Sequence, residues 1–468
     1  MRAERTSERG AAVVATFLMI AALSLDACTE RAPGRRSTPA PTTSEIVVDP
    51  NDIAVADFGG FGAEWDPYTN SANPKVPAVV TERIAFMRLP FVRVRMFASW
   101  YADVDNHYDF SNRAMRPLYE ILDAARANGT DVILTEWGSD DWSQDPWPID
   151  DPRYAIAVAD GLDHLIRRRG YTNIRYVVVV NEPNHVVPLP QWTTALVNLD
   201  RELRARDLLG LVRILGPDLG NNPWPAASLA DVADLLSAWD EHIYPEPEDV
   251  RAGRAEATLR TAWERVRSSL AGWTAPFVLG ESGFATWGHS DPAYAVDMVD
   301  YAIQATRAGT SMMSAWMLDD ESYPDGLDTE PPKWFGLWST RASGSALKPW
   351  FYTWSLLCRL VRPGSTLYLA TQPTDIRVLA AHDSSAGRWT FVIVNRRPTI
   401  AKGVTIRVPG GGAVRYRRYL FDGRDGTGPR DANGFPVPVV SGRSGDLERG
   451  ISVTLPPDSV AFIAADAG

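Results

Sequence analysis

Between about residues 55 and 340 the chain alternates between two rhythms of apolar and polar positions. One rhythm is helical. In "RPLYEILDAARANG", Leu118, Ile121, Leu122 and Ala125 recur at i, i+3, i+4 and i+7, and Asn128-Gly129 supplies the stop. "AYAVDMVDYAIQATRAG" repeats the pattern with Val296, Val299 and Ile303 before a closing Gly309. The other rhythm is a short apolar run of strand length. Eight such runs begin at Val55, Phe91, Thr130, Ile174, Leu211, Ala238, Pro276 and Thr310. The sixth is the poorest in β-branched residues. Strand and helix alternating eight times predict an α/β fold, a (β/α)8 TIM barrel.

"KPWFYTWSLLCRLV" reads as one last helix, and then the pattern changes. From about residue 346 short alternating strands are broken by Gly, Pro, Asn and Asp, which predicts a small C-terminal antiparallel β-sandwich. "EIVVD" at 45–49 precedes the first barrel strand and is a candidate to pair into that sandwich. The expected division is a signal segment at 1–28, a linker at 29–44, the barrel at 45–345 and the sandwich at 346–468.

The N-terminus carries an export pattern. Arg2, Arg5 and Arg9 precede "AAVVATFLMIAALSL", an apolar run short of the roughly 20 residues of a membrane span. "LDAC" then resembles a bacterial lipobox, which would make Cys28 a lipidation site. Asp26 departs from that pattern, so cleavage with release is the alternative. The protein is therefore expected to be exported, in the cell envelope or outside the cell, with the membrane reached only through such an anchor. Residues 29–45 are rich in Pro, Thr and Ser and read as a flexible tether. The other cysteine, Cys358, lies in a helical apolar stretch and reads as a small core residue. A net charge of -11 argues against a nucleic-acid partner.

In "VVVVNEPNH" four valines run directly into Asn181 and Glu182. A continuous valine run is what a strand buried on both faces requires. Glu182 then stands where the fourth strand ends, and Glu281, in "FVLGESGF", ends the seventh. Barrel active sites form at these strand ends. Three strand steps around a ring of eight bring the two carboxylates nearly face to face. Such a pair is the apparatus of glycoside hydrolysis, and in the retaining mechanism the carboxyl groups stand about 5–5.5 Å apart. Like charge and burial should raise the pKa of the acid while the nucleophile stays low.

"NEPN" behind a valine strand, a second Glu ending strand seven, "EHIYP" on strand six and Trp316 on strand eight resemble the clan of (β/α)8 retaining glycosidases, clan A. "YDFSNRAMRPLYEILDAARANGTDVILTEWG" and "FVRVRMF" are similar to the β-xylosidase and α-L-iduronidase family, glycoside hydrolase family 39. The chain departs from that family at Val180 and Arg95. The resemblance implies Glu182 as acid/base and Glu281 as nucleophile. It also implies Asn181 on the sugar 2-hydroxyl, Tyr244 and either Arg93 or Arg95 supporting Glu281, His242 on the floor, and Trp316 as a stacking platform.

Glu136, ending strand three, is a candidate substrate contact or buried ion-pair member, and Glu64 a candidate for sugar contact or structural use. Among the 17 Trp residues, Trp263 and Trp273 fit helical core positions. Trp65, Trp100, Trp137, Trp142, Trp147, Trp224 and Trp287 fall in strand-end loops, and at least two are expected to line a sugar cleft. The six His show no HExxH, no close pair and no Cys partner, so no metal centre is expected. No cofactor is implied. The expected partner is an oligo- or polysaccharide and the expected reaction retaining hydrolysis of a cell-envelope or environmental glycan. The alternatives are a non-catalytic glycan-binding lipoprotein on the same barrel and a transglycosylase.

Overall fold

The computed structural model describes residues 43–68, 73–137, 145–284, 289–320 and 334–467. The signal segment, most of the linker and Cys28 lie outside them, as do Trp142 and Trp287. Seventeen strands are described. The first is β1, Ser44–Phe58. The next eight are β2 (Gly60–Glu64), β3 (Phe91–Met96), β4 (Asp131–Glu136), β5 (Ile174–Val178), β6 (Arg213–Leu219), β7 (Trp239–Ile243), β8 (Phe277–Ser282) and β9 (Thr310–Ala315). Then follow β10 (Ser365–Ala370), β11 (Ile376–Asp383), β12 (Arg388–Asn395), β13 (Lys402–Arg407), β14 (Ala413–Asp422), β15 (Val440–Asp446), β16 (Ile451–Leu455) and β17 (Ser459–Ala467).

Strands β2 to β9 close into an eight-stranded parallel barrel, with β9 returning to β2 through Gly60↔Met312 and Ala63↔Ala315. The predicted (β/α)8 architecture is present. Its helices follow the amphipathic pattern: Arg116–Asn128 buries Leu118, Ile121, Leu122 and Ala125 and ends at Gly129 in the left-handed region, φ 70°. Pro292–Arg307 starts at Asp291, whose side chain caps the Ala293 N–H. Helix Pro349–Leu360 is the last before the C-terminal strands, and Cys358 is buried within it.

The remaining strands form a nine-stranded sheet in the order β15-β14-β17-β12-β11-β10-β1-β13-β16, the β-sandwich that follows the barrel. Its own core holds Ile46, Val48, Phe391, Ile393 and Ile463. The run "VADFGGFG" at Val55, expected to open the barrel, is divided: Val55–Phe58 ends β1 of this sheet, which pairs antiparallel with β10 and parallel with β13, and Gly60–Gly62 opens the barrel as β2. Residues 45–49 lie in the same strand. One junction of the sheet is thus parallel, where the sequence pattern predicted antiparallel strands throughout. Gly60, at φ 114°, opens the first barrel strand just after β1, a conformation open to glycine. Sheet and barrel meet through buried ion pairs: Arg396 to Asp297 at 2.8 Å and Arg377 to Asp300 at 3.5 Å.

Candidate active site

The barrel strands deliver a connected set of charged side chains to their C-terminal ends. Arg93 on β3 is fully buried and sits at the centre. Its NH1 donates to Glu64 Oε2 on β2 at 2.9 Å and to Glu281 Oε1 on β8 at 2.7 Å. Its NH2 donates to Asn181 Oδ1 at 2.7 Å and to Asp218 Oδ2 on β6 at 2.9 Å. A buried guanidinium is tolerable only when paired in this way. Arg95 shares the same strand face but turns to Asp66 at 3.7 Å and to the Trp137 ring. Of the two arginines, Arg93 is the one on Glu281.

Beyond β5 the chain runs through buried Val179 and Val180 to Asn181, whose N–H donates to the Glu136 carbonyl at 3.1 Å. Glu182 adopts a left-handed backbone, φ 42°, ahead of the short helix Pro183–Val186. Such a conformation costs a non-glycine residue about 1–3 kcal/mol and here aims the carboxyl at the barrel mouth. A Cβ on Gly220 would lie 2.7 Å from the Glu182 carboxyl carbon, so the loop after β6 passes directly against it.

His242 on β7 joins the two halves of the site. Its Nδ1 lies 2.9 Å from Glu182 Oε1 and 3.6 Å from Glu281 Oε2, and its Nε2 lies 3.1 Å from Asp218 Oδ1. Tyr244 donates its hydroxyl to Glu281 Oε2 at 2.8 Å. One carboxylate oxygen of Glu182, one of Glu281 and a ring nitrogen of His242 all lie within 4.8 Å of one another. The two glutamates therefore meet at one rim.

The electrostatics differ from the sequence expectation. Burial pulls the His242 imidazole down, but Glu281 and Asp218 outweigh it and hold the ring well above its ordinary range. Burial also works to raise Glu182, yet hydrogen bonding and charge from His242, with help from His185, leave it below the ordinary carboxylate value. Glu281 is raised by burial, against the pull of His242 and Arg93. The expected order, a raised acid and a low nucleophile, is inverted in the free site. The physical reason is His242: its Nδ1 lies one hydrogen bond from Glu182 and favours the charged form of that carboxyl. Glu64 is raised by burial despite Arg93, and Asp240 by burial and by Asp218.

Spacing alone would let a cation sit among Glu182, His242 and Glu281, or among Asp218, Asp240 and His242. The donor atoms are already spent, however. Arg93 and Tyr244 occupy the Glu281 oxygens, and Arg93 and His242 occupy those of Asp218. Arg93 supplies the positive charge that a metal would bring, so no metal centre is assigned.

Trp316 and Trp137 stack on one another at the mouth, centroids 6.2 Å apart and planes within 10°. Trp316 keeps partial exposure, which leaves it able to meet a sugar face. Two expected sugar contacts are not available. Trp65 is fully enclosed, its indole N–H on the Tyr68 hydroxyl at 3.2 Å. Glu136 is fully buried, accepting from the Ala98 N–H at 2.9 Å and the Tyr154 hydroxyl at 2.7 Å, and so anchors loops. Glu64 takes the structural option. Asp218, Asp240 and His185 were not singled out from sequence. The signal for Asp218 and Asp240 was present, since each is an acidic residue within or ending a strand of the barrel.

No family model matches the sequence, and no curated protein matches it. Among solved structures the chain is similar to a GH39 β-xylosidase from Caulobacter crescentus, with 16% identity over 91% of this chain and 100% of that one and a TM-score of 0.62. A GH30 endoxylanase from Clostridium papyrosolvens matches with 14% identity, 91% and 100% coverage and a TM-score of 0.62. An α-L-arabinofuranosidase from Thermotoga maritima gives 14%, 91%, 100% and 0.61. At such identities the likeness is one of fold: this chain has the barrel-plus-sandwich architecture of these glycoside hydrolases.

Proposed function

We propose that the protein is a retaining glycosidase acting on O-glycosidic bonds. One observation carries the reading: the Glu182 and Glu281 carboxylate oxygens approach within 4.8 Å at the same end of the barrel. That spacing is in keeping with the roughly 5–5.5 Å between carboxyl groups of retaining pairs and falls below the roughly 6.5–9.5 Å of inverting ones. The two are held differently. Glu281 is clamped by Arg93 and Tyr244, which fixes the direction of its carboxyl and suits the nucleophile. Glu182 has more open surface, with 28% of its side chain exposed against 7% for Glu281, and has imidazoles as proton partners. It is the acid/base.

In the first half-reaction Glu281 attacks the anomeric carbon as a proton passes to the leaving oxygen by way of Glu182. In the second, water attacks the ester and returns a proton to Glu182. In this scheme Asn181, held by Arg93, meets the sugar 2-hydroxyl, and Trp316 over Trp137 offers a stacking face. The export pattern of the N-terminus, with Cys28 as the tether, supports a glycan of the cell envelope or the surroundings as substrate. The test is Glu281→Gly on a panel of aryl glycosides and polysaccharides, with product anomers read by NMR. The variant is expected to be inactive and to form a glycosyl azide of inverted configuration when azide is added. Retained activity in that variant sinks the assignment.

A further inference from the structure

Asp218 has no task in the scheme above, yet it touches both halves of the site. It lies on β6 with a fully buried side chain and a left-handed backbone, φ 62°, strained for a residue other than glycine. Its Oδ2 accepts from Arg93 NH2 at 2.9 Å and from the Glu182 backbone N–H at 3.4 Å. Its Oδ1 lies 3.1 Å from His242 Nε2. Across the ring, His242 Nδ1 lies 2.9 Å from Glu182 Oε1. Asp218 therefore grips Glu182 twice, at the amide directly and at the carboxyl through the imidazole.

These contacts decide which atoms carry hydrogen. A guanidinium and an amide N–H can only donate, so together they hold Asp218 as a carboxylate. Burial opposes its ionisation, but Arg93 and His242 outweigh it and keep the carboxyl below its ordinary range. A carboxylate has acceptors alone, so His242 Nε2 carries a hydrogen and donates it to Oδ1. Nδ1 faces Glu182, and Glu281 Oε2 stands 3.6 Å away. With anions on both sides the ring is cationic, and Nδ1 donates to Glu182 Oε1. The titratable groups around the ring are Glu182, Asp218 on β6, Glu281 on β8, and Asp240 and Glu241 on β7. Around Asp218 stand Arg93 on β3, His242, Asp240, Glu182 and Glu281. Around Glu182 stand His242, His185, Asp218, Glu281 and Tyr244. Among the described contacts, Asp218 and Glu182 are the groups that hydrogen-bond the ring.

We propose that Asp218 is a positioning residue for the acid/base: it keeps His242 in the form that donates from both ring nitrogens, which holds Glu182 Oε1 as an acceptor and leaves Oε2 to carry the proton passed to the leaving oxygen. The inference rests on Glu182 being the acid/base. The proton leaves Oε2 for the glycosidic oxygen as that oxygen's bond to the anomeric carbon breaks and the bond to Glu281 forms. A proton of the attacking water returns to Oε2 as the water oxygen displaces Glu281. The cycle takes up no net proton, and the His242 ring keeps its two hydrogens throughout. In Asp218→Asn the amide oxygen must meet Arg93 and the Glu182 N–H, since both donate. The amide NH2 then faces Nε2, which must accept, and the cationic ring loses its support.

Two measurements on the full chain decide the matter. The first is nitrogen NMR of the His242 ring. In the wild type both ring nitrogens are expected to carry hydrogen at about pH 7; a neutral ring there overturns the proposal, whether or not any variant folds. In Asp218→Asn the ring pKa is expected to fall by about 1–3 units, the usual effect of removing an adjoining opposite charge; an unchanged value overturns the proposal. Neither spectrum needs turnover, so both stand apart from the glycosidase reading. The second measurement is the pH profile of kcat/KM. Removing an anion loosens the protons on His242 and Glu182, so the alkaline limb of Asp218→Asn should move to lower pH by about one unit. Asp218→Glu keeps the charge and should return the limb towards the wild-type position, a response that lost packing does not give. Coincident limbs in wild type and Asp218→Asn overturn the proposal. Absence of any glycoside turnover by the wild type would instead sink the acid/base reading, and the ring spectra alone would then decide whether Asp218 sets the state of His242.

Discussion

The two ends of the barrel interior are built from the same strands and obey opposite rules. At the N-terminal end Phe91, Ile133, Val178, Leu215, Ala238 and Val278 close on one another as an apolar plug. Two residues along β3, Phe91 gives way to Arg93; two along β7, Ala238 gives way to Asp240 and then His242. The plug stabilises by removing apolar surface from water. The rim does the reverse: it withdraws five carboxyl groups, a guanidinium and an imidazole from water and recovers the cost only through mutual pairing. A single pleat step separates the part that holds the cylinder together from the part that can do chemistry.

The comparison is broken most sharply by variants that separate stability from turnover. Glu182→Ala is expected to lower kcat by about 10²–10⁴-fold, the usual reach of a general acid–base, with the smallest loss for aryl leaving groups that need no proton. Thermal unfolding should show its melting temperature close to that of the wild type. Arg93→Met leaves Glu64, Asp218 and Glu281 without their shared cation and should cost about 3–5 kcal/mol of stability, measured by denaturant unfolding. If that variant were as stable as the wild type, the rim would not depend on pairing. Leu215→Ala at the plug should cost about 2–5 kcal/mol while the pH dependence of kcat/KM stays unchanged.

The smallest effect concerns Asp319, just beyond β9. Burial raises its carboxyl from 3.8 to about 7, partly opposed by the Tyr68 hydroxyl. The folded chain keeps a proton there that the unfolded chain releases, so its contribution is complete at low pH and is lost as pH rises through about 7. Asp319→Asn should flatten the decline in stability between pH 4 and 7, read as denaturant midpoints at about those two values. An equal decline in both proteins would place the slope elsewhere.

Much of this was legible in the sequence because burial on both faces leaves an unmistakable trace. The valine run before Asn181 and "FVLG" before Glu281 located both carboxylates, and "FVRVR" put two arginines on one inward face. What periodicity does not encode is partnership. Arg93 and Arg95 are equivalent by parity, and only the closed ring shows that one meets Glu281 and the other Asp66. Trp65 and Glu136 read as cleft residues because they end or follow strands. Their enclosure depends on Tyr68 and Tyr154, which arrive from other segments. The extended run at Val55 was readable as a strand, but nothing local says which sheet it joins. The inverted order of the two glutamates was illegible for the same reason, since it depends on a histidine sixty residues from Glu182.

The placement of β1 bears on how the chain matures. Residues 44–58 are made before every barrel strand, yet their neighbours, β10 and β13, lie about 310 to 360 residues downstream. Until the last quarter of the polypeptide has emerged, this segment has unmet backbone donors and acceptors on either flank. The companion sheet therefore cannot be completed until its tail comes home to its head, whereas the strands of the cylinder are contiguous along the chain.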